Sequence, residues 1–292
     1  MLPDYDSLAP ATWAEALAAL AAQPDVVPIA GGTNVVVGMR AGELRGRTLM
    51  DINRLPELHG IRVSDGHVVI GGGTTVAELL ASPAITEHAY PLHQAAAAFA
   101  NPLVRNRATI GGNLVDASPA ADTYPPLLVL DAEVELVSLH GVRWLPLDQF
   151  VLGVNQTERR PEELLRSVRW PLAPERSAGL HHKLALRKGT ACSVMSAAVR
   201  VDTDQLGRCT AARIALGAVA PRPIRAHEAE QSLVGESLTE VTIRRAAQLA
   251  GQACRPIDDV RSSAAYRRRV AEVVVRRLLT AVDLELKEGA QA

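Results

Sequence analysis

Two segments eighty positions apart carry the residues best suited to chemistry: Ile29-Ala30-Gly31-Gly32-Thr33-Asn34 and Ala108-Thr109-Ile110-Gly111-Gly112-Asn113. In each, an apolar, strand-like run meets a glycine pair followed by a small hydroxyl or amide side chain. Such a composition leaves consecutive backbone N–H groups unobstructed and free to converge on an anion, which suits a diphosphate. A Gly-Gly pair also makes an ordinary turn, and Asn34 and Asn113 are suited to closing one, so the residues alone leave both readings open. Gly71-Gly72-Gly73 follows a short strand pattern and precedes Thr75-Val76-Ala77-Glu78, a capping-box form; these glycines equally permit a tight turn.

Thr33, Asn34, Thr109, Asn113, Ser118 and Asp122 form a set of groups able to meet ribityl or ribose hydroxyls and phosphate oxygens, with Asp122 as an acceptor. The chain has no G-x-S-x-G elbow, no H-E-x-x-H, no P-loop lysine after its glycines and no G-x-G-x-x-G fingerprint. Phosphate-cradling loops without that fingerprint call for a nucleotide-binding architecture other than the Rossmann fold. His181 and His182 are neighbours on a strand pattern and face opposite ways, which argues against a shared metal. Cys192, Cys209 and Cys254 are odd in number and lack C-x-x-C spacing, against a disulfide framework, a structural zinc or an iron–sulfur cluster in this chain.

The elements that must position these groups follow from pattern. At 292 residues and 48% apolar content the chain is long enough for two modest domains. Its net charge of −1 and 3% aromatic content remove the footprint of a nucleic-acid binder. Residues 1–6 lack signal-peptide character and no apolar stretch reaches bilayer length, so no membrane span and a cytoplasmic location are expected. Thr12-Trp13-Ala14-Glu15 predicts a helix to Ala22, and Val26–Ala30, Thr48–Asn53 and Val68–Ile70 predict strands. Pro91–Ala100 reads as a helix, Arg105–Arg107 as a polar connection, Tyr124–Pro126 as irregular, and Leu127–Leu139 as strand. Pro171–Gly179 is the linker candidate. Beyond it, Val194–Val201 and Arg213–Val219 read as strands, and Glu240–Cys254 and Ala264–Leu286 as helices.

From Pro28-Ile29-Ala30-Gly31-Gly32-Thr33-Asn34 onward the chain resembles the FAD-binding medium subunits of the molybdenum hydroxylases, the group of xanthine dehydrogenase and aerobic carbon monoxide dehydrogenase. Arg105-Asn106-Arg107-Ala108-Thr109-Ile110-Gly111-Gly112-Asn113-Leu114, continuing through Ala117–Asp122 to Pro126-Leu127-Leu128, is similar to that family's longest signature. Lys183–Lys188, Leu216–Arg225 and Asp258–Arg267 resemble its C-terminal landmarks, so the likeness covers essentially the whole chain.

The resemblance implies an α+β architecture. A two-lobed flavin domain of the vanillyl-alcohol-oxidase kind, residues 1–172 with lobes of about 1–55 and 56–172, precedes a small domain, 173–288, built on a short antiparallel sheet with helices. It implies non-covalent FAD, with Pro28–Asn34, Ala108, Thr109, Gly112, Asn113, Ser118 and Asp122 at the diphosphate and ribityl chain. Phe99 and Leu165 would pack near the isoalloxazine and Lys183 would lie beside it, where a cation stabilises the anionic reduced ring; a solvent-facing Lys183 is the plain alternative. Molybdenum cofactor and [2Fe–2S] clusters are implied on partner subunits, a large and a small one, in a dimer of heterotrimers.

Asn34, Asp116 and Gly189-Thr190-Ala191 depart from the family pattern, and the acceptor stays open among NAD⁺, oxygen and a quinone. No cysteine precedes Cys192, against the 4-hydroxybenzoyl-CoA reductase branch. The reading is an oxidoreductase subunit that relays electrons and has no catalytic side chain of its own. Its rivals are a stand-alone flavin oxidase or reductase and a scaffold that has lost FAD.

Overall fold

Alternation of apolar residues and punctuation by glycine and proline divide the described residues, 5–289 of this computed structural model, into three main sheets with helices between them. Residues 1–4, which bear part of the targeting expectation, lie outside the described residues. The first lobe runs β1 (Ser7–Leu8), α1 (Trp13–Ala22), β2 (Val26–Ile29), α2 (Val35–Ala41) and β3 (Thr48–Asp51). Its parallel sheet has the order β1-β3-β2, with Ile29 opposite Asp51. Thr12 caps α1 by accepting from the Glu15 N–H at 3.2 Å, while the Glu15 carboxylate reaches one residue further back, to the Ala11 N–H.

The second lobe comprises β4 (Ile61–Ser64), β5 (His67–Gly71), α3 (Val76–Ala81), α4 (Pro83–His88), α5 (Tyr90–Ala98), α6 (Pro102–Arg105), α7 (Ile110–Asp116) and α8 (Tyr124–Val129). It continues through β6 (Glu133–Ser138), β7 (Gly141–Pro146), α9 (Leu147–Phe150), the small pair β8 (Val151–Gly153) and β9 (Gln156–Thr157), and β10 (Leu164–Pro171). The antiparallel sheet has the order β4-β5-β10-β6-β7. One face, with Val68, Ile70, Val134, Leu136, Val168 and Trp170, is buried against the helices, where Leu79, Leu92, Ile110, Leu114 and Tyr124 complete the core.

The C-terminal unit comprises β11 (Ser177–Ala185), β12 (Ser193–Thr203), β13 (Cys209–Gly217), β14 (Ile224–Arg225), α10 (His227–Gln231), α11 (Glu240–Ala253) and α12 (Ala264–Gly289). Its antiparallel sheet has the order β11-β12-β13-β14. The α11 and α12 helices cover one face, and Ala198 and Ala215 turn the other toward α5 and α8, joining the second-lobe core. This is the expected α+β arrangement of a two-lobed domain followed by a short antiparallel sheet with helices.

Three local expectations are corrected. Tyr124–Pro126 is not irregular: proline in the first turn opens α8, as it does α4, α5 and α6, because a helix N-terminus has no use for the missing N–H. Strand therefore starts only at Glu133, not at Leu127. Arg105 belongs to α6 rather than to a connection; Asn101 caps that turn through Val104 N–H at 3.0 Å.

Candidate functional site

The first glycine segment leaves β2 and turns into α2. Gly32 has φ +73, a left-handed backbone that glycine adopts at no steric cost. Gly31 makes a closer demand: a Cβ there would lie 1.7 Å from the Arg107 carbonyl oxygen and 3.1 Å from the Ala108 Cα. Only a hydrogen in that place lets the first lobe lie directly against the chain entering the second glycine segment. Pro28 and Ile29 are held in the strand ladder, and the Ala30 carbonyl accepts from Asn53 Nδ2 at 3.0 Å. The N–H groups of Gly31, Gly32, Thr33, Asn34 and Val35, and the side chains of Thr33 and Asn34, make no hydrogen bond among the described residues. Five successive donors are thus left for a ligand or water.

The second segment is built differently from the expected loop after a strand. Thr109 is the N-cap of α7, and Ile110–Asn113 form its first turn. Their amides are taken: Ile110 N–H by Thr74 O at 2.9 Å, Gly111 by Gly72 O at 2.8 Å, Gly112 by Thr109 Oγ1 at 3.1 Å, and Asn113 by Thr109 O at 3.0 Å. Gly111 serves close packing, since a Cβ there would stand 2.6 Å from Gly72 O. Gly112 is exposed, and a Cβ would meet only Thr109 Oγ1, at 2.9 Å. The segment therefore offers an open backbone surface rather than a nest of free donors. Asn113 Oδ1 is engaged by the Thr123 hydroxyl at 2.6 Å, and Ala108 is buried.

Gly71-Gly72-Gly73 takes the turn alternative: all three are buried with their amides bonded to Gly60, Arg166 and Leu58 carbonyls. Cβ atoms at Gly71 and Gly72 would stand 2.3 Å from Leu58 O and 2.5 Å from Leu165 O. The Thr75–Glu78 capping box forms with both of its bonds.

Asp122, Lys183 and Ser193 meet where the C-terminal sheet lies on the second lobe. Lys183 Nζ is 2.5 Å from Asp122 Oδ2 and 3.2 Å from Ala98 O, and Ser193 Oγ donates to Asp122 Oδ1 at 2.6 Å. The Lys183 side chain is 6% exposed, which sets aside a solvent-facing lysine. Burial pushes the Asp122 carboxyl above its usual range, against the pull of Lys183 and Ser193. Phe99 lies half-buried at the end of α5, one residue after the carbonyl that holds Lys183, and Leu165 is buried in the core that Phe99 borders. The turn after β11 is pinned to this corner, with Thr190 N–H on Ala100 O at 2.9 Å and Asn101 Nδ2 on Thr190 Oγ1 at 3.1 Å. Ser118 Oγ accepts from Ala120 N–H within its own turn.

Ser193 and the Ala98 carbonyl are parts of this corner that pattern reading missed. Neither sits in a motif, and only the pairing of β11 with β12 brings Ser193 to Asp122. His181 and His182 do face opposite ways: His182 is exposed, whereas His181 is 6% exposed with Nε2 unpartnered. Burial, then the nearby His182 and Lys183, lowers its pKa to about 3. Among the described residues no three or more His, Cys, Asp or Glu are placed to hold a metal ion, and no helix is long and apolar enough to cross a membrane.

Comparison with known proteins accords with this geometry. Residues 3–173 match the family described as the FAD binding domain in molybdopterin dehydrogenase, and residues 181–282 match the CO dehydrogenase flavoprotein C-terminal domain. The chain is 32% identical to the xanthine dehydrogenase FAD-binding subunit of Escherichia coli O157:H7, over 92% of this chain and 93% of that one. It is 37% identical to the 6-hydroxypseudooxynicotine dehydrogenase complex subunit alpha of Paenarthrobacter nicotinovorans, over 87% and 86%. Carbon monoxide dehydrogenase from Hydrogenophaga pseudoflava superposes with a TM-score of 0.93 at 32% identity, covering 97% of this chain and 98% of the other. The chain belongs to the FAD-binding medium-subunit family of the molybdenum hydroxylases, an oxidoreductase flavoprotein family.

Proposed function

We propose that this chain holds FAD, non-covalently and between its two lobes, within a multi-subunit molybdenum hydroxylase. The observation that carries the reading is the approach of Gly31 to Arg107–Ala108, which brings the segment with five free amides against the chain that leads into the turn bearing the exposed Gly112. The residues present fit the cofactor: free donors and open backbone suit a diphosphate, and a buried cation suits a ring that gains negative charge. We place Pro28–Asn34, Ala108, Thr109, Gly112, Asn113 and Ser118 along the diphosphate and ribityl chain, and Phe99 and Leu165 as apolar walls toward the isoalloxazine. Lys183 holds a positive charge beside the ring, and Asp122 orients its ammonium group. When bound, FAD would supply the one- and two-electron exchange that joins [2Fe–2S] clusters to NAD⁺, oxygen or a quinone.

The clusters belong, in this reading, to a small partner subunit and the molybdenum cofactor to a large one, assembled in the cytoplasm as a dimer of heterotrimers. Residues 1–172, with lobes of about 1–55 and 56–172, form the flavin domain, and 173–288 the C-terminal domain. A relay is favoured over a stand-alone oxidase because the titratable groups at this corner are tied to one another: Asp122 to Lys183 and Ser193, and His181 buried and neutral. None is placed as a free base for substrate. Purification of the chain from its native source, with mass spectrometry of companion chains and assay of molybdenum and iron, tests the reading. Two companion subunits with both metals are expected; a chain that purifies alone and oxidises a small substrate unaided overturns it.

A further inference from the structure

We propose that Asp131 is a positioning residue for the flavin site, clasping the C-terminal sheet so that Lys183 reaches Asp122; the inference rests on the flavin reading above. The α8 helix carries a carboxylate just outside each end. Ahead of it, Asp122 is held by Lys183 of β11 and Ser193 of β12. Behind it, Asp131 Oδ2 accepts from Arg213 Nε of β13, and Oδ1 accepts from Arg225 Nη1 of β14 at 2.9 Å. Arg225 Nη1 also donates to the Leu128 carbonyl, at 3.1 Å. The same two arginines are anchored within the C-terminal unit, Arg213 to Asp202 at 2.9 Å and Arg225 to Glu230 at 2.5 Å. Asp131 is the second-lobe member of that ion-pair chain, and charges in such a network hold geometry better than an isolated surface pair.

Between the two clasps the contact is smooth. Ala198, Ala215 and Gly217 face the helices, and a Cβ at Gly217 would lie 3.0 Å from Pro125 Cγ. Small side chains let the surfaces approach but do not interlock, so polar contacts set the position of α8 along the sheet: the clasps at its two ends, together with Ala218 N–H on Pro119 O at 2.8 Å, His181 N–H on Gln94 Oε1 at 2.6 Å and Arg222 Nη1 on Asp148 O at 2.6 Å. The Asp131 backbone supports the same reading. It ends α8 with φ +54, Ala132 N–H bonding Leu127 O at 3.0 Å and Asp131 N–H bonding Leu128 O at 3.2 Å, a helix ending that favours glycine. The aspartate stands there against backbone preference, and its side chain has the use just described.

Asp131→Gly in the full-length chain keeps the preferred backbone and removes the clasp; Asp131→Asn keeps the shape and removes the charge. In flavin-free protein, acetylation of the Lys183 amine by acetic anhydride is followed by mass spectrometry against exposed Lys287. Faster labelling of Lys183 is expected, largest in the glycine variant, with the melting transition retained. FAD titration should show a Kd raised by about tenfold in Asp131→Gly, and Asp131→Gly combined with Lys183→Met should bind no more weakly than Lys183→Met alone. Unchanged Lys183 labelling in both variants, or additive losses of FAD affinity, would overturn the proposal. If the unaltered chain binds no FAD, the flavin reading fails while the labelling still decides the clasp.

Discussion

Lys183 and Asp122, 61 positions apart, form a buried ion pair across the contact between the C-terminal sheet and the second lobe, Nζ to Oδ2 at 2.5 Å. Neither charge has bulk water to fall back on, so each depends on the other. Lys183→Met should therefore destabilise the chain by about 3 kcal/mol, because it leaves an uncompensated carboxylate in the interior. Lys183→Met with Asp122→Leu should recover much of that loss, since an apolar pair of similar volume leaves no orphaned charge. Chemical denaturation of the single and double variants checks this, and equal stability of all three proteins would contradict it.

Gly112→Leu is expected to abolish FAD retention while the chain stays folded. The position is exposed and helical, with only the Thr109 hydroxyl near a new Cβ, so on helix propensity alone leucine would be neutral or stabilising. Released-flavin fluorescence and a melting curve on the same preparation separate the two effects. Full flavin occupancy in the variant would remove Gly112 from the site.

Gly31→Val should behave differently, losing stability as well as FAD. A Cβ placed 1.7 Å from the Arg107 carbonyl must push the two lobes apart or shift the backbone. The measurement is a thermal melt of the flavin-free chain, where a lower midpoint for Gly31→Val but not for Gly112→Leu is expected.

His181 gives the chain a pH dependence with a definite sign. Its folded pKa lies near 3 against 6.5 for an ordinary histidine, so below pH 6.5 the unfolded chain takes up a proton that the folded chain refuses. This term therefore lowers stability as pH falls from 6.5 toward 3, by up to about 1.4 kcal/mol per pH unit. Glu135 adds to the acid limb: burial alone would raise its carboxyl, but bonds from Arg166 and Ser167 and the charges of Arg166 and Arg169 hold it below the usual range. Its contribution is present above the unfolded value of 4.5 and is lost as pH falls through the folded one. His181→Leu should flatten the slope between pH 6 and 5, roughly the window of histidine alone, in denaturant titrations at fixed pH.

Much of the fold was legible because caps and alternation are local: Thr75–Glu78, the strand before Gly31 and both long C-terminal helices stand where the pattern placed them. The proline-rich run at Tyr124 misled because proline reads as a breaker except in a first helical turn, and which case holds depends on what packs around it. The second glycine segment misled for a related reason: Thr109 takes the amides of Gly112 and Asn113 as a local N-cap, but those of Ile110 and Gly111 find acceptors on Thr74 and Gly72, thirty-odd residues away, and no local rule supplies them. Residue spacing marked Asp122 and family likeness marked Lys183, but their pairing, and the parts of Ser193 and Asp131, exist only once β11 to β14 lie on α8.

The central claim is that this chain binds FAD between its lobes through the segment at Gly31 and the surface at Gly112. The most direct test is titration of the flavin-free, full-length chain with FAD, followed by quenching of flavin fluorescence. One FAD per chain, competed by ADP, which carries the same diphosphate, and lost in Gly112→Leu, is the result expected. Saturable binding that ADP does not weaken and Gly112→Leu does not alter, or no binding by a folded chain, would contradict it.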